Sequence, residues 1–594
     1  MKGQLPPGQG IMLKGIWHTS PEFRSQLLSS CIYGVDIDMQ AVEVTVMSLY
    51  LKMLEEQLPP HWQREFLRHK LLPSLDNNIN CGNSLISQTD FDRYWETKHS
   101  TLFGFDDDTR FRINAFDWTS ETRGFGRILT DGKGFDCIIG NPPYIRVQEL
   151  KKWEPEECEF YKATYKSAAK GNYDIYVVFI EKALQLLNSK GLMGYICPHK
   201  FWQAKYGEGI REIIVKGKYL KSIIDFTDQQ VFKGATTYTA IHTFSQTQNK
   251  DDVTYTAIYE LIDGQTQCSA IDNKKYIDGI ISLKANHPIN IQPWVFRSQS
   301  TESWCTNISK NTEPLINVAE QIFVGLQTSA DTVFLFEDYE ISKPTIKVYS
   351  KELNKQIFLE ADLLKPVIRS GNIERYKAVP TVLVLFPYIN NGNDATIIPE
   401  VEMQESYPLA WEYLKTNEIL LRSRESNKFD NDQWYGLMRK NIEKWEGPKI
   451  MVPYMVTKLC AFYDDINNYY FVNVTTGGFG IRATKIDPWL LTAFLCSNLL
   501  DKWFKGQAAK FHGGYFGANK QYIENLPIKI PKNKKEVNIS KKIISYSKQI
   551  QDNFIKLQKR ISDQEKIMIE REIEAYENHV NELVCELYGV DEIL

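Results

Sequence analysis

No two of the ten cysteines stand at C-x-x-C spacing; they lie singly along a chain of 594 residues. That excludes a disulfide framework and a structural zinc site, and it fits a reduced, cytoplasmic protein with no metal. Long apolar runs are also missing. The best, Trp489 to Leu500, is interrupted by Ser and Asn and falls short of the roughly 20 residues that cross a bilayer. Met1 to Gly15 lacks the charged-then-apolar layout of a secretory signal. Neither a membrane span nor export is expected. An excess of one charge is absent too: 70 basic and 74 acidic residues leave a net −4. Any polyanionic partner must therefore be met by local basic surface. Internal repeats and low-complexity tracts are lacking as well.

What is present is an ordinary globular composition on a chain too long for one core, so two or three domains are expected. The first third alternates short apolar strands with amphipathic helices, the pattern of an open, doubly wound α/β sheet. Cys31 to Asp38 reads as a buried strand ending in two acids, Asp36 and Asp38. Met39 to Gln57 follows as a helix, with Val42, Val46, Leu49, Met53 and Leu54 on one stripe. Phe135 to Gly140 is a further short strand, and Tyr173 to Asn188 a helix. Gly191 to Cys197 and Leu220 to Phe226 are strands around a helix over Glu208 to Val215. Tyr238 to Phe244 and Val253 to Tyr259 alternate like a closing antiparallel pair.

These features set a first domain at 1–306. From Asn307 to Ile530 the sequence turns aromatic and turn-rich, which suggests a second, mixed α+β domain at 307–530. In it, Asp487-Pro488 starts a helix, with Asp as cap and Pro in the first turn. The segment 531–594 is helical: apolar residues recur at steps of three and four from Ile543 to Ile561 and from Ile569 to Leu587. Lys529 to Arg560 holds ten basic and two acidic residues. Either a solvated helix face or a contact for DNA phosphates accounts for them.

The sharpest signal is Asn141-Pro142-Pro143-Tyr144 directly after the strand ending at Gly140. Ligands of open α/β sheets bind at the carboxyl ends of strands. An exocyclic amine such as adenine N6 is a poor nucleophile because its lone pair is conjugated into the ring. Two acceptors taking both N–H hydrogens would pull that nitrogen toward tetrahedral geometry. Asn141 offers a side-chain carbonyl, and Pro142 a backbone carbonyl stiffened by the two rings. Tyr144 offers a flat face on which an extruded base can stack. A plain turn after a strand would also use Asn-Pro.

Three stretches, Ile32 to Thr45 (IYGVDIDMQAVEVT), Cys81 to Ile86 (CGNSLI) and Phe135 to Arg146 (FDCIIGNPPYIR), resemble the γ-type adenine-N6 DNA methyltransferases of type II, particularly type IIG, restriction-modification systems. Val324 to Asp331 resembles the opening of a TaqI-like specificity domain, and His512 to Phe516 through Glu524 to Pro527 its closing segment. The resemblance covers nearly the whole chain, in family order. It implies a Rossmann-like methyltransferase sheet, a DNA-recognition domain and C-terminal helices. It also implies S-adenosyl-L-methionine as cofactor, double-stranded DNA as partner, and base flipping.

By the same resemblance Asn141, Pro142, Pro143 and Tyr144 are catalytic, and Tyr144 and Phe232 stack on the target base. Asp36 binds the cofactor ribose, while Asn83 and Ser84 lie at the cofactor adenine. Asp38 has the alternative of capping the next helix, Asn83 that of a loop turn, and Phe232 that of strand-edge packing. Lys200 and Phe201 are expected on the same rim.

The family places a strand and an Asp-Pro-x-Cys-Gly-Ser-Gly-like turn before the position of Asp36, and no such sequence precedes it here. Pro6 to Gly10 contains glycine but follows no strand. The resemblance therefore implies a sheet lacking its first strand. It also implies that this chain binds the cofactor weakly or uses an upstream polypeptide to supply the glycine loop.

Overall fold

The computed structural model describes residues 10–13, 16–19, 21–54, 72–99, 107–130, 133–227, 231–232, 237–247, 253–258, 280–285, 291–296, 299–390, 395–439, 447–466, 469–472, 477–508, 510–559 and 561–590. Pro6 to Gln9, Tyr259 and the 55–57 end of the expected helix lie outside them. The chain divides into two compact units, Met1–Phe296 and Arg297–Leu594.

In the first unit a six-stranded sheet runs in the order Ile280–Ala285, Val253–Ile258, Leu220–Asp225, Thr239–Ser245, Leu187–Pro198, Phe135–Gly140. Phe135–Gly140 lies parallel to Leu187–Pro198. Thr239–Ser245 is wedged antiparallel between Leu187–Pro198 and Leu220–Asp225. Val253–Ile258 runs parallel to Leu220–Asp225. The two strands expected to close the sheet as a pair therefore do not pair with each other. Alternation reports which face is buried but not which edge is shared. Thr239–Ser245 is buried at five of its seven positions, as suits a strand with neighbours on both edges. The helix Tyr176–Leu186 covers this sheet, with Val177, Val178 and Ile180 fully buried.

Gly34–Asp36 forms a separate parallel pair with Ile79–Cys81. This strand starts later than the sequence suggested, because Cys31 is the last residue of the helix Pro21–Cys31. The Asn78 amide holds that helix end, donating to the carbonyls of Ser29 at 3.0 Å and Ile32 at 2.8 Å, groups a helix terminus leaves without partners. The helix Met39–Leu54 turns Val42 and Met53 inward, with Val46 and Leu49 half-buried. Among the described residues no strand pairs with the second edge of Gly34–Asp36 or of Phe135–Gly140. A cavity of about 990 Å³ is lined by both strands.

The second unit carries two four-stranded sheets. One runs Ala319–Val324, Gly478–Ala483, Lys449–Pro453, Phe462–Asp464, and the other Leu335–Phe336, Val382–Leu385, Leu364–Ile368, Tyr470–Phe471. Gly325 is needed where it stands: a Cβ there would meet the Phe471 carbonyl oxygen at 2.1 Å. Asp487 caps the helix Pro488–Leu495 through the amides of Trp489 and Leu490. The helices Lys534–Leu557 and Asp563–Tyr588 pack on each other and place Ile543, Ile550 and Val584 in one core with Leu491, Phe494 and Leu499. Among the described residues no helix is long and apolar enough to cross a membrane.

Candidate active site

Asn141 follows the carboxyl end of the Phe135–Gly140 strand. Gly140 lets the chain turn there against a ring, since a Cβ would lie 2.9 Å from Tyr195 Cε1. Of the tetrapeptide, Asn141 and Pro143 are exposed, Pro142 is buried and Tyr144 is half-buried. The Tyr144 hydroxyl lies 2.6 Å from Asn141 Oδ1 and 3.2 Å from the Ile196 carbonyl, and it donates toward these two acceptors. Burial pushes the Tyr144 phenol well above its ordinary pKa, so it stays a neutral donor. The Pro142 carbonyl accepts no hydrogen bond from the described backbone.

Phe232 meets Tyr144 with ring centroids 6.4 Å apart at 60°. A base held between two parallel faces needs about two contact distances of 3.5 Å. The pair is near that spacing and requires ring rotation to become parallel.

The tetrapeptide also borders the cavity, which is lined by Asn141, Pro142 and Pro143 but not by Tyr144 or Phe232. Asp36, Asn83 and Ser84 also line it. Asp36 is exposed, and its Oδ1 accepts the Asp38 amide at 2.9 Å. The Asp38 carboxylate accepts the Gln40 amide at 2.9 Å and its carbonyl the Val42 amide at 3.1 Å. Asp38 thus caps the following helix, and it is absent from the cavity wall. Ser84 uses its carbonyl to accept Trp118 Nε1 at 2.8 Å. Asn83 is buried, with Oδ1 accepting the Leu85 amide at 3.0 Å and Nδ2 donating to Glu157 at 2.9 Å.

Glu157 was not singled out by the sequence. It sits in the helix Pro155–Thr164 and reaches the cavity wall 2% exposed. Burial, then the neighbouring Glu154, push its carboxyl up to about 7. Nothing in PEECEFYKAT distinguishes it from the other acids of a solvated helix. Lys182 is a second such group: it lines the same cavity, and burial lowers its pKa.

Lys200 is exposed, whereas Phe201 is fully buried and packs on Tyr176, His242 and Trp294. Phe201 is therefore a core residue and not part of the rim. Among the described residues no group of three or more His, Cys, Asp or Glu is placed to hold a metal ion.

The cavity suits a nucleoside-bearing methyl donor. It offers a carboxylate at a strand tip, a buried carboxyl with an open oxygen, and apolar walls from Val35, Ile138 and Pro142. The strand-tip Asn-Pro-Pro-Tyr of this α/β sheet thus borders such a cavity and contributes to an aromatic pair.

Residues 30–232 match the Eco57I restriction-modification methylase family. The chain is 27% identical over 595 residues to the type II restriction enzyme and methyltransferase RM.Eco57I of Escherichia coli, a match covering 96% of this chain and 55% of that one. It is 24% identical over 568 residues to the type II methyltransferase M.BanIII of Aneurinibacillus aneurinilyticus, covering 85% and 90%. The solved structure of the type IIL restriction-modification enzyme MmeI in complex with DNA aligns with a TM-score of 0.56 at 13% identity, over 96% of this chain and 71% of that one. That likeness carries the fold. The chain is homologous to type II restriction-modification methyltransferases and spans little more than half the length of RM.Eco57I.

Proposed function

We propose that this chain is a site-specific DNA methyltransferase of a restriction-modification system, transferring a methyl group from S-adenosyl-L-methionine to adenine N6 of a flipped base. The supporting observation is the position of Asn141-Pro142-Pro143-Tyr144 at a strand tip, with Asn141 and Pro142 on the cavity wall and Tyr144 in a ring pair with Phe232. When bound, the cofactor supplies an electrophilic methyl group on a sulfonium. Asp36 binds the ribose hydroxyls, and Asn83 and Ser84 lie on the cavity wall at the adenine end. Asn141 Oδ1 and the Pro142 carbonyl accept the two N–H hydrogens of the target amine, aiming its lone pair across the tetrapeptide. Tyr144 frees Asn141 Oδ1 by turning its hydroxyl to the Ile196 carbonyl, 3.2 Å away. Tyr144 and Phe232 hold the base by stacking.

In this reading residues 1–306 form the catalytic domain, 307–530 recognise the target sequence on double-stranded DNA, and 531–594 buttress that domain. Asn141→Ala should lower methyl transfer to duplex DNA by at least about a hundredfold while leaving duplex affinity within a few-fold. Transfer of labelled methyl groups and a gel-shift titration measure the two, for the chain alone and with its upstream-encoded neighbour. Undiminished transfer by the variant contradicts the role of Asn141.

A further inference from the structure

Glu157 carries an oxygen that no donor among the described residues uses. Its Oε2 accepts from Asn83 Nδ2 at 2.9 Å and from the Tyr161 hydroxyl at 3.0 Å. Among the described residues no hydrogen bond reaches its Oε1, and the residue is 2% exposed and lines the cavity. The oxygen is open to the cavity, where a ligand's N–H can take the place of water on it. The neighbouring amide is already engaged through both its nitrogen and its oxygen. Asn83 Nδ2 faces the carboxylate and Oδ1 faces the Leu85 amide; turning the amide over would set oxygen against carboxylate and N–H against N–H. At this end of the cavity Glu157 Oε1 is an acceptor that no donor among the described residues takes.

We propose that Glu157 Oε1 is the acceptor that reads the exocyclic amino group of the cofactor's adenine ring, with Asn83 and Tyr161 as positioning residues that hold Oε2. This rests on the methyltransferase reading and adds to it a base-specificity residue. Two donors on one oxygen fix the carboxyl plane, so Oε1 stays aimed while the site is empty or filled. The charged and titratable groups around it are Glu154, which disfavours ionisation, Arg112, which favours it, and Tyr161. Burial is the largest influence and brings the carboxyl to about 7. The ionised form, which accepts, is therefore lost as pH falls through neutrality.

The test compares S-adenosylhomocysteine with S-inosylhomocysteine, whose ring bears a carbonyl in place of the amino group, by ligand-observed NMR, which reads weak affinities. Wild-type protein should prefer the adenosyl ligand by at least about tenfold. Its affinity for that ligand should fall about tenfold between about pH 8 and pH 6. In Glu157→Gln the amide oxygen stays on the two donors and the NH₂ takes the place of Oε1, facing donor to donor. Preference for the adenosyl ligand should fall by about tenfold or more, and the pH dependence should vanish. A variant that binds with its preference unchanged overturns the assignment, and so does a wild-type protein that binds the inosyl ligand as tightly as the adenosyl one, a readout that does not depend on the variant folding. Wild-type protein that binds neither nucleoside even with an upstream polypeptide added overturns the methyltransferase reading itself, a different result from either.

Discussion

Tyr144 brings two separable groups to the site, a ring beside Phe232 at 6.4 Å and a hydroxyl on Asn141 at 2.6 Å. The ring accounts for base holding and the hydroxyl only for the resting position of Asn141. Tyr144→Phe should therefore keep single-turnover methylation within about tenfold of wild type, the scale of one neutral hydrogen bond. Tyr144→Ala should lose about 10- to 100-fold, the scale of a lost base stack, along with the fluorescence rise of 2-aminopurine at the target position. Equal losses in the two variants would put the weight on the hydroxyl. Asn141 and Tyr144 were legible in the sequence because one short motif at a strand end holds both. Glu157 was not, because its meaning comes from Asn83, 74 residues away in the chain, and no local pattern marks that meeting.

At the scale of elements, the strand Phe135–Gly140 and the helix starting at Pro488 were read correctly from local signals: a short apolar run before the Asn-Pro turn, and an Asp-Pro cap. The pairing of Thr239–Ser245 and Val253–Ile258 was misread, since a strand's partner is settled by the sheet around it. So was the start of Gly34–Asp36, because the apolar residues at 31 and 32 serve a helix end and its exit. The second unit holds an element-scale feature that the sequence hides. Lys449 and Asp464 form an ion pair at 2.8 Å between paired strands, with both side chains fully buried. The Asp464 carboxylate also accepts the Tyr469 amide at 2.6 Å. Lys449→Met strands that carboxylate in the core and should cost about 3–5 kcal/mol, read as a lowered urea midpoint. Adding Asp464→Asn should recover part of the loss. A variant as stable as wild type would show that the pair contributes nothing to the sheet.

Over the whole molecule, charge is balanced to −4, so the duplex binding proposed for the chain must rely on local basic surface and not on a global field. Lys541 and Lys542 on the helix Lys534–Leu557 are exposed and stand in the basic stretch Lys529 to Arg560. The division of labour proposed for the chain joins chemistry in the first unit to sequence recognition within the second. Methyl transfer to a particular atom of DNA is its central claim. The most direct measurement is nucleoside mass spectrometry of duplex DNA incubated with S-adenosyl-L-methionine and the protein, together with its upstream-encoded neighbour. N6-methyldeoxyadenosine in the wild-type digest and none above background with Asn141→Ala is the predicted result. Methylated cytosine instead, or N6-methyldeoxyadenosine undiminished in the variant, would contradict it.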